Sequence, residues 1–131
     1  MDLGTRTLGH LALRVTDPQR SRRFYHEQLG LPILLETPQV TLLGIGQVAL
    51  ALLGADSETL AGERFDLHRT GLDHVALGVA DDELEPLLAQ LDAADVPNNG
   101  IQRDALTGAQ YISFYDPDGI AWELYAMPTG A

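Results

Sequence analysis

Cysteine is absent from this chain of 131 residues, which excludes disulfide staples, thiolate nucleophiles and cysteine metal ligands. Basic residues are scarce as well. Eight Lys and Arg stand against nineteen Asp and Glu, for a formal net charge of −11. Such a surface repels phosphate backbones and anionic headgroups, so neither nucleic acid nor a membrane is an expected partner. No apolar run approaches the roughly 20 residues needed to cross a bilayer. The opening Met1-Asp2-Leu3-Gly4-Thr5-Arg6 lacks the charged-then-apolar layout of a secretory signal. A cytoplasmic protein is the expectation. At this length the expected organisation is a single domain over 1–131, able to bury roughly two-thirds of its unfolded surface.

What the chain does contain, it contains twice. Gly9-His10-Leu11-Ala12-Leu13-Arg14-Val15-Thr16-Asp17 returns as Asp73-His74-Val75-Ala76-Leu77-Gly78-Val79-Ala80-Asp81. Each copy then runs toward a helix with a late leucine, Leu29 or Leu91, and on to Leu31-Pro32 or Val96-Pro97. Two copies of one supersecondary unit therefore account for most of the chain. Module one covers about 8–54, a connector 55–70, and module two about 71–127.

Within each copy the local signals are consistent. Leu11, Leu13 and Val15 alternate with His10, Ala12 and Arg14, the period of a strand with one aliphatic face. Asp17-Pro18 supplies an N-cap and a first-turn proline for a helix from Pro18 to about Leu29, ended by Gly30. Its Arg20, Arg22 and Arg23 read as a solvated face. Apolar stretches at 33–35, 40–45 and 47–53 predict two or three further strands. In the second copy, Val75, Leu77 and Val79 form the aliphatic face of a strand over 73–79. Asp82 and Glu85 have capping-box spacing for a helix through about Ala94, with Pro86 in its first turn. Asn98-Asn99-Gly100 reads as a turn, and 109–115 with 120–126 as a hairpin around Asp116-Pro117-Asp118-Gly119. The loops 33–40, 54–70 and 98–109 are expected to set substrate size. The predicted fold is α+β: two βαβββ modules with mixed sheets and helices on the outside.

Three residues stand out chemically. His10 and His74 share a repeat position on the strand face opposite the aliphatic side. Glu123 lies in the apolar stretch Ile120-Ala121-Trp122-Glu123-Leu124-Tyr125, on the face shared with Ala121 and Tyr125. A carboxylate in such a strand needs a partner, because burying it unpaired is very costly. Taken singly, each histidine is more often a hydrogen-bonded structural residue than a ligand, and Glu123 reads equally as a solvent-facing edge residue. Taken together, two imidazoles and one carboxylate lining a cavity make a facial triad for a divalent metal. Arg14, on the face of His10, is a candidate contact for an anionic group. Tyr111, Ser113 and Tyr125 have the parity to contact substrate. His26, on the first helix, and His68, in the connector, read as surface residues.

The motifs His10–Asp17, Ser21-Arg22-Arg23-Phe24-Tyr25 leading to Leu29–Pro32, Leu72–Leu77 and Phe114–Leu124 resemble those of the vicinal oxygen chelate superfamily. That group includes glyoxalase I, extradiol dioxygenases, fosfomycin-resistance enzymes, methylmalonyl-CoA epimerase and bleomycin-resistance proteins. The resemblance spans about Leu8 to Met127. It implies paired βαβββ modules forming an open cup around one divalent ion (Fe, Mn, Ni or Zn), with ligands at His10, His74 and Glu123. It also implies a small-molecule substrate with neighbouring oxygens and a homodimer, the modules pairing within or between chains. Aligning Gly46 with Gly119 sets Leu50 opposite Glu123, where glyoxalase I-like members carry a carboxylate. That argues against a glyoxalase I mechanism and leaves dioxygenase and transferase patterns open. Fosfomycin transferases usually carry Thr at the position of Ala12. The implied function is a metal-dependent lyase, dioxygenase or transferase; the alternative is a non-catalytic drug- or metabolite-binding protein of the bleomycin-resistance type.

Overall fold

The computed structural model describes residues 1–55 and 60–126. Two compact units emerge, Met1–Glu63 and Arg64–Ala131. No helix among the described residues is long and apolar enough to cross a membrane. Residues 56–59 of the expected connector, and Met127 at the end of the expected second module, lie outside the described residues.

In the first unit, β1 (His10–Arg14) is followed by α1 (Pro18–Arg22), a π-helical segment (Arg23–Gln28), β2 (Ile33–Glu36), β3 (Val40–Ile45) and β4 (Val48–Leu53). Leu13 is buried while His10, Ala12 and Arg14 are exposed, the alternation the sequence carries. The Asp17 carboxylate accepts the Arg20 N–H at 3.2 Å, and Pro18 opens the helix where its missing N–H costs nothing. The expected single helix instead widens at Arg23. There the Leu29 N–H reaches back five residues to the Phe24 carbonyl at 2.9 Å. The wider winding accompanies two consecutive buried aromatics, Phe24 and Tyr25, whose rings meet edge to face at 4.9 Å. Gly30, at φ 80°, ends the segment. The arginines are less free than a solvated face implies: Arg22 pairs with Glu36, and Arg20 donates to the Thr16 hydroxyl at 2.9 Å. His26 is half-buried rather than a plain surface residue, its Nδ1–H donating to the Leu31 carbonyl at 2.7 Å.

The sheet order is β1-β4-β3-β2, with β1 parallel to β4 and the other pairs antiparallel. Leu11 and Leu13 stand beside Leu50 and Leu52, and Leu43 faces Leu50 across β3 and β4. These leucines, with Val15, Phe24 and Tyr25, form the core on the face against which α1 packs. The Ser21 hydroxyl is buried there without a hydrogen-bond partner.

The second unit repeats the plan: β5 (Val75–Val79), a 3₁₀ turn (Asp81–Glu83), α2 (Leu84–Ala93), β6 (Asn98–Arg103), β7 (Gln110–Tyr115) and β8 (Ala121–Ala126). Its order, β5-β8-β7-β6, is again one parallel pair and two antiparallel pairs. The two βαβββ modules and mixed sheets are as the sequence predicts. Ile112, Phe114, Trp122 and Leu124 form the core face with Leu84 and Leu91 of α2, and Phe114 stacks on Trp122 across the strands at 6.3 Å. Two local expectations differ. The helix entrance is closed by Glu83, whose carboxylate accepts the Ala80 N–H at 2.9 Å, rather than by Asp82 with Glu85. Asn98–Gly100 is a bulge inside β6 rather than a turn: the Asn98 side chain accepts the Gly100 N–H at 2.9 Å while Gly100 takes φ 71°. Residues 98–103, expected within a loop, are therefore a strand, because β7 offers them a ladder to complete, while Ile33–Glu36 form the strand that their apolar run predicts within the span 33–40 also expected as loop.

Leu50→Ala should cost about 2–5 kcal/mol in urea unfolding, since it opens a cavity between strands and helix. Ser21→Ala, which removes a buried hydroxyl that nothing satisfies, should leave stability equal or raise it by about 1 kcal/mol. A loss from Ser21→Ala comparable with that from Leu50→Ala would contradict this account of the core.

Candidate metal and substrate site

Strand parity commits one face of each sheet to the helix and leaves the other for chemistry. In the second unit that other face carries Ala76 of β5, Glu123 and Tyr125 of β8, and Tyr111 and Ser113 of β7. The register is direct: Ala76 pairs with Glu123, Ser113 with Glu123, and Tyr111 with Tyr125. His74 lies immediately before β5. Its Nδ1 meets the Asp73 carboxylate at 2.7 Å, and its Nε2 lies 3.4 Å from Glu123 Oε1. A carboxylate only accepts, so Nδ1 carries the proton in that contact. In neutral His74 the Nε2 lone pair therefore confronts another acceptor. Two acceptors at that separation are reconciled by a proton or a cation between them, and an outer carboxylate on the distal nitrogen is the usual support of a metal-ligating imidazole. The donor set thus suits a divalent ion. Among the described residues no group of three or more His, Asp or Glu that could hold a metal ion comes together; His74 and Glu123 approach as a pair.

An open recess of ≈ 350 Å³ adjoins the pair, lined by His74, Ala76, Asp104, Tyr111, Glu123 and Tyr125. Tyr111 and Tyr125 stack with ring centres 6.0 Å apart and planes inclined by 19°. The Tyr125 hydroxyl donates to Asp104 Oδ2 at 3.0 Å and is in contact with the Thr107 hydroxyl. Asp104 also accepts the Leu106 N–H at 2.8 Å. That backbone bond first, then the Tyr125 hydroxyl, with smaller help from Thr107, holds the Asp104 carboxyl below its ordinary value of 3.8 against a weaker opposing effect of burial. Asp104 is the residue that the sequence reading missed. Its signal was the run Asp104-Ala105-Leu106-Thr107-Gly108, in which an Asp caps the N–H two residues on.

The remaining named residues belong to the first unit or stand apart. His10 opens β1, exposed, beside Ala49. Arg14 donates to the Gly54 carbonyl at 2.5 Å. His68 is exposed, with its backbone N–H on Asp66. The pairing of strands also corrects one alignment. In the first unit Ala12 stands beside Ala51, as Ala76 stands beside Glu123 in the second. Ala51, rather than the fully buried Leu50, is thus the counterpart of Glu123, and Leu50 matches Trp122. Alanine coordinates no better than leucine, so the first unit offers no carboxylate at this position.

Over residues 7–124 the sequence matches the Glyoxalase/Bleomycin resistance protein/Dioxygenase superfamily. The chain belongs to this superfamily. Its relatives within the superfamily include glutathione transferase FosA of Serratia marcescens, 32% identical over 91% of this chain and 79% of that protein. The crystal structure of a glyoxalase family protein from Enterococcus faecalis superposes with a TM-score of 0.79 at 26% identity, covering 92% of this chain and 97% of that one. Lactoylglutathione lyase from Agrobacterium tumefaciens shares the fold, with a TM-score of 0.70 at 18% identity over 94% of this chain and 95% of its own. Relatives in the superfamily thus include enzymes. Members bind small-molecule substrates, often act as dimers, and usually use a divalent metal.

The Asp104 geometry has a measurable consequence. Its carboxyl carbon should titrate below 3.8, and Tyr125→Phe should raise that midpoint. The sign follows from the direction of the shift: Asp104 contributes stability above the ordinary carboxylate range and loses it as pH falls through the lowered folded value. Carbon-detected NMR titration reads both, and an unmoved midpoint in Tyr125→Phe would contradict the hydroxyl contact.

Proposed function

We propose that this protein is a metal-dependent small-molecule enzyme in which His10, His74 and Glu123 hold one divalent ion, Fe, Mn, Ni or Zn. The observation that carries the reading is the approach of His74 Nε2 to Glu123 Oε1 at 3.4 Å with the opposite ring nitrogen held by Asp73. His10 is the third ligand by its matched repeat position and its exposed strand face, from the same chain or from a second copy in a homodimer. Both units and the connector are then one functional domain. The cysteine-free composition suits a cytoplasmic setting.

With Ala51 in the fourth position, three protein ligands leave an octahedral ion about three open sites. That suits a substrate bearing neighbouring oxygens. A bound ion would supply Lewis acidity, stabilising negative charge that develops on a chelated oxygen. The chain's own residues do the rest. Asp73 fixes the His74 tautomer. The stacked Tyr111 and Tyr125 rings wall the recess against a planar or apolar substrate portion, and Ser113 offers a hydroxyl across from Glu123. Arg14 keeps guanidinium N–H groups beyond the one given to Gly54 and is the proposed contact for an anionic group. Without a carboxylate at Ala51, the reaction belongs with the dioxygenase or transferase patterns rather than with proton shuttling between two metal-bound glutamates.

Metal analysis by inductively coupled plasma mass spectrometry, on tag-free protein loaded separately with Fe²⁺, Mn²⁺, Ni²⁺ and Zn²⁺, tests this. Near one ion per chain is expected, lost in His10→Ala, His74→Ala and Glu123→Ala and retained in His26→Ala and His68→Ala. Asp73→Asn should weaken affinity about 10–100-fold, as loss of an outer-shell partner does. No ion under any loading would overturn the reading in favour of a drug- or metabolite-binding protein. Equal losses in all five alanine variants would overturn the ligand assignment.

A further inference from the structure

We propose that Asp104 sets substrate class at its edge of the recess, admitting groups that offer hydrogen-bond donors or positive charge and turning anionic groups away from that edge. The inference rests on the reading of the recess as the substrate site.

The lining supplies the first argument. Among the described residues around the recess there is no Lys or Arg, while Glu123 and Asp104 are both acidic. Arg103, next to Asp104 in sequence, donates to the Gly108 carbonyl at 2.6 Å and lines a separate recess of the same unit with Thr107, Gly108 and Gln110. Hydrogen-bond direction supplies the second. Tyr125 has one hydroxyl proton, and it goes to Asp104. The Thr107 hydroxyl touches the Tyr125 hydroxyl and also bonds Asp104, so the protons of both hydroxyls are spent within this group. Tyr125 therefore has nothing left to donate to a ligand. The Nδ1 proton of His74 is turned to Asp73. What the recess presents is nearly all acceptor: Asp104, Glu123 and the His74 Nε2, with the Tyr111 hydroxyl as a donor. Asp104 accepts from the Leu106 N–H and the Tyr125 hydroxyl, with further bonds from Thr107, so it meets a ligand chiefly as a fixed negative charge at the edge of the recess. Those same bonds keep it ionised near neutrality. Beside the ion that Glu123 would hold, a ligand anion entering would still meet the Asp104 charge at the edge of the recess and little to donate to it.

The third argument is mechanical. Asp104 and Thr107 both belong to the β6–β7 loop, where the Asp104 N–H bonds the Ala109 carbonyl and the Gly108 N–H bonds the Asp104 carbonyl, at 2.8 and 2.7 Å. The carboxylate is thus held by a closed turn at the edge of the recess, not presented on a mobile tip.

Three probes share a vicinal diol and differ in charge: catechol, 4-(2-aminoethyl)catechol and 3,4-dihydroxybenzoate. Their dissociation constants, by isothermal titration calorimetry with the full chain in its metal-loaded and metal-free forms, are expected to rank amine ≤ catechol < carboxylate. Catechol should bind at least about tenfold more tightly than the carboxylate, on the order of one like-charge contact in a partly exposed site. Asp104→Asn should shrink that ratio several-fold. Asp104→Ser keeps an acceptor for the Leu106 N–H and should do the same, so the result survives a fault in folding of either variant. A carboxylate bound as tightly as catechol, an unchanged ranking in both variants, or no binding of any probe would overturn the inference. Protein that loads one metal ion but prefers the carboxylate refutes this inference and leaves the metal site standing. Protein that loads none but keeps the charge ranking refutes the metal site alone.

Discussion

Everything in this molecule depends on the pleat of two short parallel pairs, β1 with β4 and β5 with β8. Successive side chains on a strand face opposite ways, so each pair must choose which set goes to the helix. Leu11, Leu13, Leu50 and Leu52 make that choice in the first unit, and Val75, Leu77, Trp122 and Leu124 in the second. Burial of these aliphatic and aromatic groups is worth roughly 25 cal/mol per Å² of apolar area, and a slip of one residue would reverse it entirely. Once the large residues turn inward, His10, Ala51, Glu123 and Tyr125 have no other side to occupy. The chemistry is presented by default, as the complement of the core.

Much of this was legible in the sequence. The alternation around His10 and His74, the Asp17-Pro18 helix start and the Asp116–Gly119 turn each rest on a short-range rule, and the structure follows them. In that turn the buried Asp116 carboxylate accepts the Asp118 and Ile120 N–H groups at 2.9 and 2.8 Å. The pairing of His74 with Glu123 was equally foreseeable from parity. What escaped were features decided by tertiary context. Asn98–Gly100 has a turn's composition, yet β7 offers it a ladder, and the chain takes a bulge to stay in it. Nothing local shows that consecutive Phe24 and Tyr25 will both be buried. Asp104 was missed because its partner, Tyr125, arrives from a distant strand.

The slip between Leu50 and Ala51 has a simple cause. Ile45 pairs with Val48 around Gly46-Gln47, whereas Tyr115 pairs with Ala121 around the longer turn 116–120. Matching the two glycines therefore misaligns the strands that follow them. Hydrogen-bonded register, not turn glycine, is the reliable ruler between the copies. By that ruler the position that holds the Glu123 carboxylate in the second unit holds a small residue, Ala51, in the first.

The two hairpins of the second unit also differ in what they can tolerate over evolutionary time. The turn at 116–120 fixes the phase of β8, so an inserted or deleted residue there would exchange Glu123 for Trp122 or Leu124. The segment 104–109 joins β6 to β7 on the far side of the sheet from β5, where a change in length leaves the pairing of β7 with β8 intact. A lineage could therefore rewrite the rim of the recess while the buried turn keeps the carboxylate in phase. Under the proposed function, new specificities are reachable by editing one loop, with the His74–Glu123 pair inherited unchanged.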